Sequence, residues 1–209
     1  MQYSELPINE FLEDLSSAEA VPGGGGAAAL AGGLAAALSC MVVNLTLGKA
    51  KFAEHAEELA QLLQRSENLR QQLLETVEKD AEVFRSFMNC YKLPKSTPEE
   101  KSARTEAIGA AAKNAASVPL TIAEMGLKVL KIADRLTVIG NSAVITDVAC
   151  SVLLARAALQ CAAYNVMINL KFTGDAAYNA KVQLRLQQLE QEALLLEDRA
   201  LERSESLLN

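Results

Sequence analysis

The sequence predicts an all-helical protein, a bundle of long helices packed around two buried Ala-rich helices. Three observations indicate this fold class: apolar residues recur at intervals of three and four, no segment keeps the two-residue alternation of a strand, and the apolar residues are mostly small. Half of the 209 residues are hydrophobic, but only 4% are aromatic and there is no Trp. A core of Ala, Leu and Val suits closely packed helices, and we expect one domain over residues 1–209.

The first predicted helix is short, around residues 5–17, and the second carries no charge. Residues 20–48 contain no charged side chain, and a segment of that length could span a membrane. The glycines Gly23–Gly26, the pair Gly32 and Gly33 and the absence of a flanking basic cluster favour a helix buried on all sides instead. We therefore expect a protein without a membrane span.

A long amphipathic helix is predicted from Ala50 to about Tyr91. One apolar stripe follows it, formed by Leu59, Leu62, Leu69, Leu73, Val77, Phe84 and Met88. The helix is expected to end before Pro94. Thr97, Pro98 and Glu100 then form an N-cap, a first-turn proline and a capping box.

Turn residues divide the rest of the chain into further helices. The Val118–Pro119 pair is expected to separate the helix that starts at Pro98 from another that ends near Leu136. Gly140–Ser142 forms a turn, residues 143–172 form the second Ala-rich helix, and Gly174–Asp175 breaks the chain again. A last amphipathic helix runs to the C-terminus with Leu186, Leu189, Ala193, Leu196 and Ala200 on one side.

Composition excludes several classes of function. The net charge is −6, and no run of Lys or Arg could follow a phosphate backbone, so nucleic acid is not an expected partner. The four cysteines are far apart and no signal peptide is evident, which favours reduced thiols in the cytoplasm. The single histidine, His55, lies among glutamates, which argues against zinc and against triad chemistry. Carboxylates, lysines and amides remain, and no metal or cofactor is expected.

Asp80 interrupts the apolar stripe of the third predicted helix. It follows Val77 by three residues and precedes Phe84 by four, so it occupies a core-facing position. One interpretation is structural: a buried salt bridge, or a cap on the end of a neighbouring helix. The other is a carboxyl group with a raised pKa that transfers protons.

Polar residues also share one face of the second Ala-rich helix. Asp147 and Asn165 are eighteen residues apart, which is five helical turns, and Asn169 lies one turn further on. Since eighteen residues span about 27 Å, one small ligand could not touch both Asp147 and Asn165 along this helix. In one interpretation these residues bind a long ligand, or Asp147 and Asn165 have two separate functional roles. In the other, Asp147 caps its own helix and the asparagines brace neighbouring helices.

The glycine run and three further polar residues are candidate ligand contacts. Gly23–Gly26 could present backbone N–H groups to an anion, or could allow a tight helix crossing. Lys49 and Lys95 are better candidates for anion contacts, although each also fits an ordinary surface lysine. Asn141, in the Gly140–Ser142 turn, is a further candidate.

Several motifs in order resemble one known family. They are Pro22-Gly-Gly-Gly-Gly-Ala-Ala-Ala, Leu45-Thr-Leu-Gly-Lys49, Asp80-Ala-Glu-Val-Phe84, Leu93-Pro-Lys-Ser-Thr-Pro-Glu-Glu-Lys101, Val118-Pro-Leu120, Gly140-Asn141, Thr146-Asp147 and Asn165-Val-Met-Ile-Asn-Leu170. Together they resemble the cyclodeaminase domain of formiminotransferase-cyclodeaminase and its free-standing bacterial relatives, some of which are called methenyltetrahydrofolate cyclohydrolases.

The resemblance implies a function, a site and partners. It implies an all-helical homodimer or higher oligomer that cyclises 5-formiminotetrahydrofolate to 5,10-methenyltetrahydrofolate and releases ammonia. The related activity hydrolyses the methenyl bridge to the 10-formyl compound. The family motif makes Asp80 the catalytic residue, with the folate as substrate rather than cofactor. The expected substrate contacts are Lys49, Lys95, Asn141, Asp147, Asn165 and Asn169. A separate formiminotransferase is a further expected partner. The alternative to an enzyme is a helical scaffold that serves only for dimerisation and has no catalytic activity.

Overall fold

The computed structural model describes residues 3–209, and this part of the chain folds into six α-helices joined by short connections. The helices are α1 (Ile8–Ser16), α2 (Gly24–Asn44), α3 (Ala56–Cys90), α4 (Pro98–Ile139), α5 (Ile145–Leu170) and α6 (Ala176–Leu208). Short 3₁₀ turns lie at Tyr3–Glu5, Ala50–His55 and Ser142–Val144. No strand occurs between residues 3 and 209. The all-helical fold class is therefore confirmed.

The helices pack around α2, α4 and α5. Helix α4 contacts α2, α3, α5 and α6, while α2 lies between α3 and α5. Small residues allow the close approaches. A Cβ added at Gly32 would lie 3.0 Å from Leu73 of α3, and one at Gly126 would lie 3.2 Å from the Ala155 carbonyl oxygen of α5. The two Ala-rich helices lie in the core as expected, and α4 joins them there.

Helix α4 is continuous, so the predicted division at Val118–Pro119 is wrong. Both residues are buried inside the 42-residue helix. A proline within a helix removes one backbone N–H and leaves the carbonyl four residues earlier without its helical donor. Here that carbonyl belongs to Ala115, and the side-chain Nδ2 of Asn169 in α5 donates to it at 2.9 Å. Packing and this hydrogen bond hold the helix together through the proline.

The predicted third helix ends where expected, but it starts later than expected and its buried stripe shifts near the C-terminal end. Ala50–His55 forms a 3₁₀ turn, and α3 begins at Ala56. The apolar stripe is buried from Leu59 to Val77, but Met88 is 44% exposed and Phe87 takes the core position at 4%. A seven-residue repeat drifts by about 20° per heptad around an α-helix, so the stripe moves to a different residue near the C-terminal end.

Helices α2 and α5 have the length and composition of membrane spans. Gly24–Asn44 and Ser142–Leu170 both satisfy those two criteria. Each nevertheless packs one face against α4, and α2 contributes twelve buried residues to the core. This arrangement is that of core helices in a helical domain. All four cysteines are free thiols in the structure, and Cys40 is buried.

Candidate functional site

A cleft of about 240 Å³ opens where the start of α2, the C-terminal third of α3 and the end of α5 meet. Asp80, Asn165 and Asn169 line it, together with Gly24 and Gly25 at the start of α2. Helix α4 closes the floor with Ala115, and Val83, Phe84 and Ile168 supply apolar walls. Three residues chosen from the sequence thus come together in one cavity.

The Asp80 carboxyl group lies against the first turn of α2. A Cβ added at Gly25 would come within 2.2 Å of Asp80 Oδ1 and 2.5 Å of its Cγ. Only a residue without a side chain therefore fits beside the carboxyl group at this point. The glycine run therefore allows a close approach between α2 and the Asp80 side chain, as the tight-crossing interpretation expected, and the Gly26 N–H also faces this carboxyl group.

Burial raises the pKa of Asp80 to about 6, and the backbone N–H of Gly26 opposes part of this rise. The ion pairs formed by residues 3–209 do not include Asp80. The structural interpretation as a buried salt bridge is therefore not supported. The carboxyl group lies beside the first turn of α2, where the Gly26 N–H lowers its pKa, so the capping interpretation stays open as a prediction.

Two amide side chains face the cleft from the last turns of α5. Asn165 Nδ2 donates to the Cys161 carbonyl oxygen at 2.9 Å. Asn169 Nδ2 donates to two carbonyl oxygens, those of Ala115 and Asn165, both at 2.9 Å. Both donors of Asn169 are thus in use, and its Oδ1 remains to accept a hydrogen bond.

The other predicted contacts lie elsewhere on the protein. Asn141 Oδ1 accepts from the Ala143 N–H at 3.2 Å, and its Nδ2 donates to the Leu45 carbonyl oxygen at 3.2 Å. It thus joins the end of α2 to the start of α5, where Asp147 lies half-buried in the first turn. Asp147 is about 27 Å along α5 from Asn165.

Neither predicted lysine lines the cleft. Lys49 is exposed in the turn after α2, at the end remote from Gly24, and Lys95 is exposed between α3 and α4. Roles in substrate binding for these lysines, and for Asn141 and Asp147, remain predictions.

The structure gives specific contacts to two glycines of the run, whose role the sequence left open, and adds Ala115, which the sequence did not assign. Gly25 contacts the Asp80 carboxyl group, and Gly24 lies beside Asn165, whose Nδ2 would be 3.2 Å from an added Cβ. Ala115 contributes its carbonyl oxygen to Asn169. The glycine run and the carboxylate of Asp80 on the apolar stripe could each be recognised in the sequence. No sequence pattern, however, indicates that Gly25 and Asp80 are in contact.

The cleft contains one titratable carboxyl group and two side-chain amides, and its remaining lining is mostly apolar. A carboxyl group with a pKa near 6 can both accept and donate a proton close to neutral pH. No Lys or Arg appears among its described lining residues, so it suits a cationic group or an N–H donor. Residues 3–209 contain no group of three or more His, Cys, Asp or Glu side chains placed to hold a metal ion.

The fold and the cleft are those of an all-helical enzyme. A sequence profile of the formiminotransferase-cyclodeaminase family matches residues 7–188. The chain belongs to that family, and the resemblance found in the motifs is confirmed.

Individual relatives carry two different enzyme names. The methenyltetrahydrofolate cyclohydrolase of Methylorubrum extorquens is 42% identical over 202 residues, which are 97% of each chain. The formimidoyltransferase-cyclodeaminases of Sus scrofa and Gallus gallus are 32% and 34% identical over 90% of this chain. This chain spans only about a third (35%) of those longer proteins.

A solved structure shares the fold over the whole chain. The crystal structure of formiminotetrahydrofolate cyclodeaminase from Thermotoga maritima matches with a TM-score of 0.90 at 26% identity, and the match covers 100% of both chains. The arrangement of six helices is therefore that of a free-standing cyclodeaminase.

Proposed function

We propose that this protein hydrolyses the methenyl bridge of 5,10-methenyltetrahydrofolate to give 10-formyltetrahydrofolate, with Asp80 as the proton-transfer residue. The observation that supports this most is the half-buried Asp80 carboxyl group, which has no ion-pair partner in the described chain and a pKa raised to about 6. The sequence alone placed cyclisation of the formimino compound first. The 42% identity to a cyclohydrolase over nearly the whole chain supports hydrolysis as the first candidate instead.

The proposed reaction needs one group that takes up and returns a proton. The methenyl carbon is part of an amidinium cation between N5 and N10, and the ionised Asp80 stabilises that charge. Asp80 accepts a proton from water as the hydroxyl adds to the carbon. It then donates this proton to N5 as the bond from carbon to N5 breaks. The hydroxyl proton leaves to solvent, so the products are 10-formyltetrahydrofolate and one proton.

Cyclisation of 5-formiminotetrahydrofolate is the second candidate. The full-length match to a structure named formiminotetrahydrofolate cyclodeaminase favours it. N10 would attack the formimino carbon and lose its proton, and the departing nitrogen would gain a proton and leave as ammonia. The same carboxyl group can carry that proton.

The cleft alone cannot enclose a whole folate. Its volume of about 240 Å³ lies below the range of roughly 300–1,000 Å³ that is usual for drug-sized ligands. We assign it the pterin ring and the one-carbon unit, and the glutamate tail then extends over the surface. Lys49 and Lys95 are the proposed contacts for that anionic tail, and a homodimer in the cytoplasm is the proposed working form.

The test is to measure both reactions on one preparation of the protein. The methenyl compound absorbs strongly, so hydrolysis is followed as loss of its absorbance and cyclisation as its gain from the formimino compound. We expect hydrolysis to be accelerated more than cyclisation, and Asp80→Asn to abolish most of both rates. Acceleration of cyclisation alone would reverse the assignment. Acceleration of neither would support the scaffold hypothesis.

A further inference from the structure

Pro119 is buried inside α4, four residues after Ala115, which lines the cleft. Its ring nitrogen carries no hydrogen, so it cannot make the helical bond to the Ala115 carbonyl oxygen four residues earlier. That oxygen belongs to a residue only 3% exposed. A buried carbonyl without a donor is costly, and the structure supplies one from another helix.

The donor is the side chain of Asn169, whose Nδ2 is 2.9 Å from the Ala115 oxygen. The second hydrogen of the same nitrogen goes to the Asn165 carbonyl oxygen, also at 2.9 Å. Two acceptors on one side of the amide define its orientation, because only the nitrogen end can serve both. Asn169 therefore has one remaining polar function, the lone pairs of Oδ1, at a position that lines the cleft.

From this arrangement we infer that Pro119 is a positioning residue that sets Asn169 as a fixed hydrogen-bond acceptor, and that this acceptor selects an N–H group of the ligand. An ordinary residue at position 119 would satisfy Ala115 itself and leave the Asn169 amide with one orienting bond, to the Asn165 carbonyl oxygen, in place of two. With proline, the amide is held in the orientation that an N–H donor requires. The backbone hydrogen bond that Pro119 removes from α4 is thus replaced by a bond that orients a side chain of the binding site.

The chemical class of the group that binds there follows from the acceptors around it. Asp80 and Asn169 Oδ1 line one cleft, in which no described lining residue is Lys or Arg. A ring that carries several N–H groups matches them, whereas a carboxylate does not. The identity of the ligand as a folate rests on the proposed function. Within that ligand, we assign Asn169 to the pterin ring and not to the aminobenzoylglutamate part.

The first test is a stability cycle that needs no ligand. Asn169→Ala leaves the Ala115 oxygen without a donor, so we expect Tm to fall by roughly 3–6 °C. In a Pro119→Ala protein the new backbone N–H satisfies that oxygen, and the same Asn169→Ala change should lower Tm by less than half as much. Asn165→Ala is the matched control, since its acceptor at Cys161 keeps a helical donor, and its effect should be equal in both backgrounds. Equal losses for Asn169→Ala in both backgrounds would overturn the inference.

The second test measures binding of two fragments to the full chain by calorimetry. The probes are 6-methyltetrahydropterin and p-aminobenzoylglutamate. Pro119→Ala should weaken binding of the pterin by roughly tenfold, the value of one hydrogen bond, and leave the second fragment unchanged. Equal effects on both fragments, or none on the pterin, would overturn the assignment of Asn169 to the pterin.

The two tests also separate this inference from the proposed function. An unchanged pterin affinity in Pro119→Ala, in a protein that still hydrolyses the methenyl compound, would overturn the inference and leave the proposed function standing. A positive stability cycle in a protein with no folate activity would support the positioning role of Pro119 and count against the proposed function.

Discussion

At the scale of single residues, the surroundings of Asp80 determine which role it can have. The carboxyl group is half-buried, it has no ion-pair partner among the described residues, and it lies at the start of α2. Loss of a buried ion-pair partner would cost about 3–5 kcal/mol. Residues 3–209 supply no such partner, so removing the charge should not destabilise the fold by that route.

Asp80→Asn should therefore separate activity from stability. We expect turnover to fall by about 10² to 10⁴, because a lost general acid or base has effects of that size, with little change in substrate binding. At pH 4, where the buried carboxyl group is protonated, Tm should be preserved, since Asn serves a helix N-terminus about as well as Asp. At neutral pH the variant should have the higher Tm, because its neutral amide avoids the burial of an ionised carboxyl group. Both quantities are to be measured on one preparation. A stable variant with full activity would exclude Asp80 from the chemistry.

The raised pKa of Asp80 also predicts how stability depends on pH. The folded value is about 6 against an ordinary 3.8, so the folded state holds this proton more tightly than the unfolded state. Its contribution is present in full below about pH 4 and is lost as pH rises through 6. Relative to Asp80→Asn, the wild type should lose about 2–3 kcal/mol of unfolding free energy between pH 4 and pH 8. Denaturant titrations of both proteins at the two pH values check this, and parallel pH profiles would contradict it.

Helical periodicity in the sequence selected three residues that the structure places in the cleft, although the same face also included Asp147, which lies elsewhere. Asp80 departs from a regular apolar stripe, and Asn165 and Asn169 share a face one turn apart, so all three could be selected from spacing alone. Gly25 could not be paired with Asp80, because their contact depends on how α2 crosses α3. Asn141 could be selected as a turn residue, but its bond to the Leu45 carbonyl is likewise a tertiary contact.

At the scale of elements, the crossing of α2 and α3 predicts opposite effects for two adjacent glycines. A Cβ at Gly25 would overlap the Asp80 carboxyl group at 2.2 Å, whereas a Cβ at Gly26 would make ordinary contacts of 3.6 Å and 3.7 Å with Val77 and Pro22. Gly25→Ala should displace the flexible carboxyl group and lower turnover by about 10². Gly26→Ala, the matched control, should keep activity and gain up to about 1 kcal/mol of stability.

The pH dependence of turnover gives a second measurement on the same two variants, Gly25→Ala and Gly26→Ala. In Gly25→Ala the displaced carboxyl group becomes more solvated, so its pKa should fall below 6 towards its ordinary value. The profile of Gly26→Ala should match the wild type. Equal activities and equal profiles for the two variants would contradict the crossing geometry.

Element boundaries show why local signals were sufficient in some places and not in others. The start of α4 carries a complete capping box at Thr97 and Glu100, and the structure has it as predicted. The Val118–Pro119 pair gave an equally clear local signal for a break, yet the helix continues. The difference is that Asn169, fifty residues later, satisfies the carbonyl that Pro119 leaves free. Such compensation depends on tertiary contacts and is not visible in a local pattern.

At the scale of the whole molecule, α2 and α5 present apolar residues to solvent. Leu34 and Met41 of α2 are 51% and 37% exposed, and Leu153 and Tyr164 of α5 are 48% and 63% exposed. Both helices pack on α4 and on each other, so these residues lie on the faces that other helices leave uncovered. Subunit interfaces are commonly built from apolar residues left exposed in this way, so these two helices are the candidate interface.

We therefore expect a dimer that covers this surface. Light scattering at micromolar concentration should report twice the 22.4 kDa subunit mass. Leu34→Glu should give monomers, because it places a charge in the interface. Leu195→Glu is the matched control, since Leu195 is 72% exposed on α6 and its substitution should leave the dimer intact. A wild-type monomer at this concentration would refute the prediction.

Because α4 is so long, its amide protons should exchange with solvent at very different rates along the helix. Forty-two residues extend over about 63 Å, whereas a compact chain of this size has a radius of gyration near 17 Å. The first turns, Pro98–Arg104, are mostly exposed, while residues 122–133 are mostly buried. In deuterium-exchange mass spectrometry the amide protons of the first turns should exchange by local fraying, within seconds to minutes. Those of residues 122–133 should exchange only when the whole domain unfolds, so a single helix should contain both the fastest and the slowest exchanging helical amides of the protein.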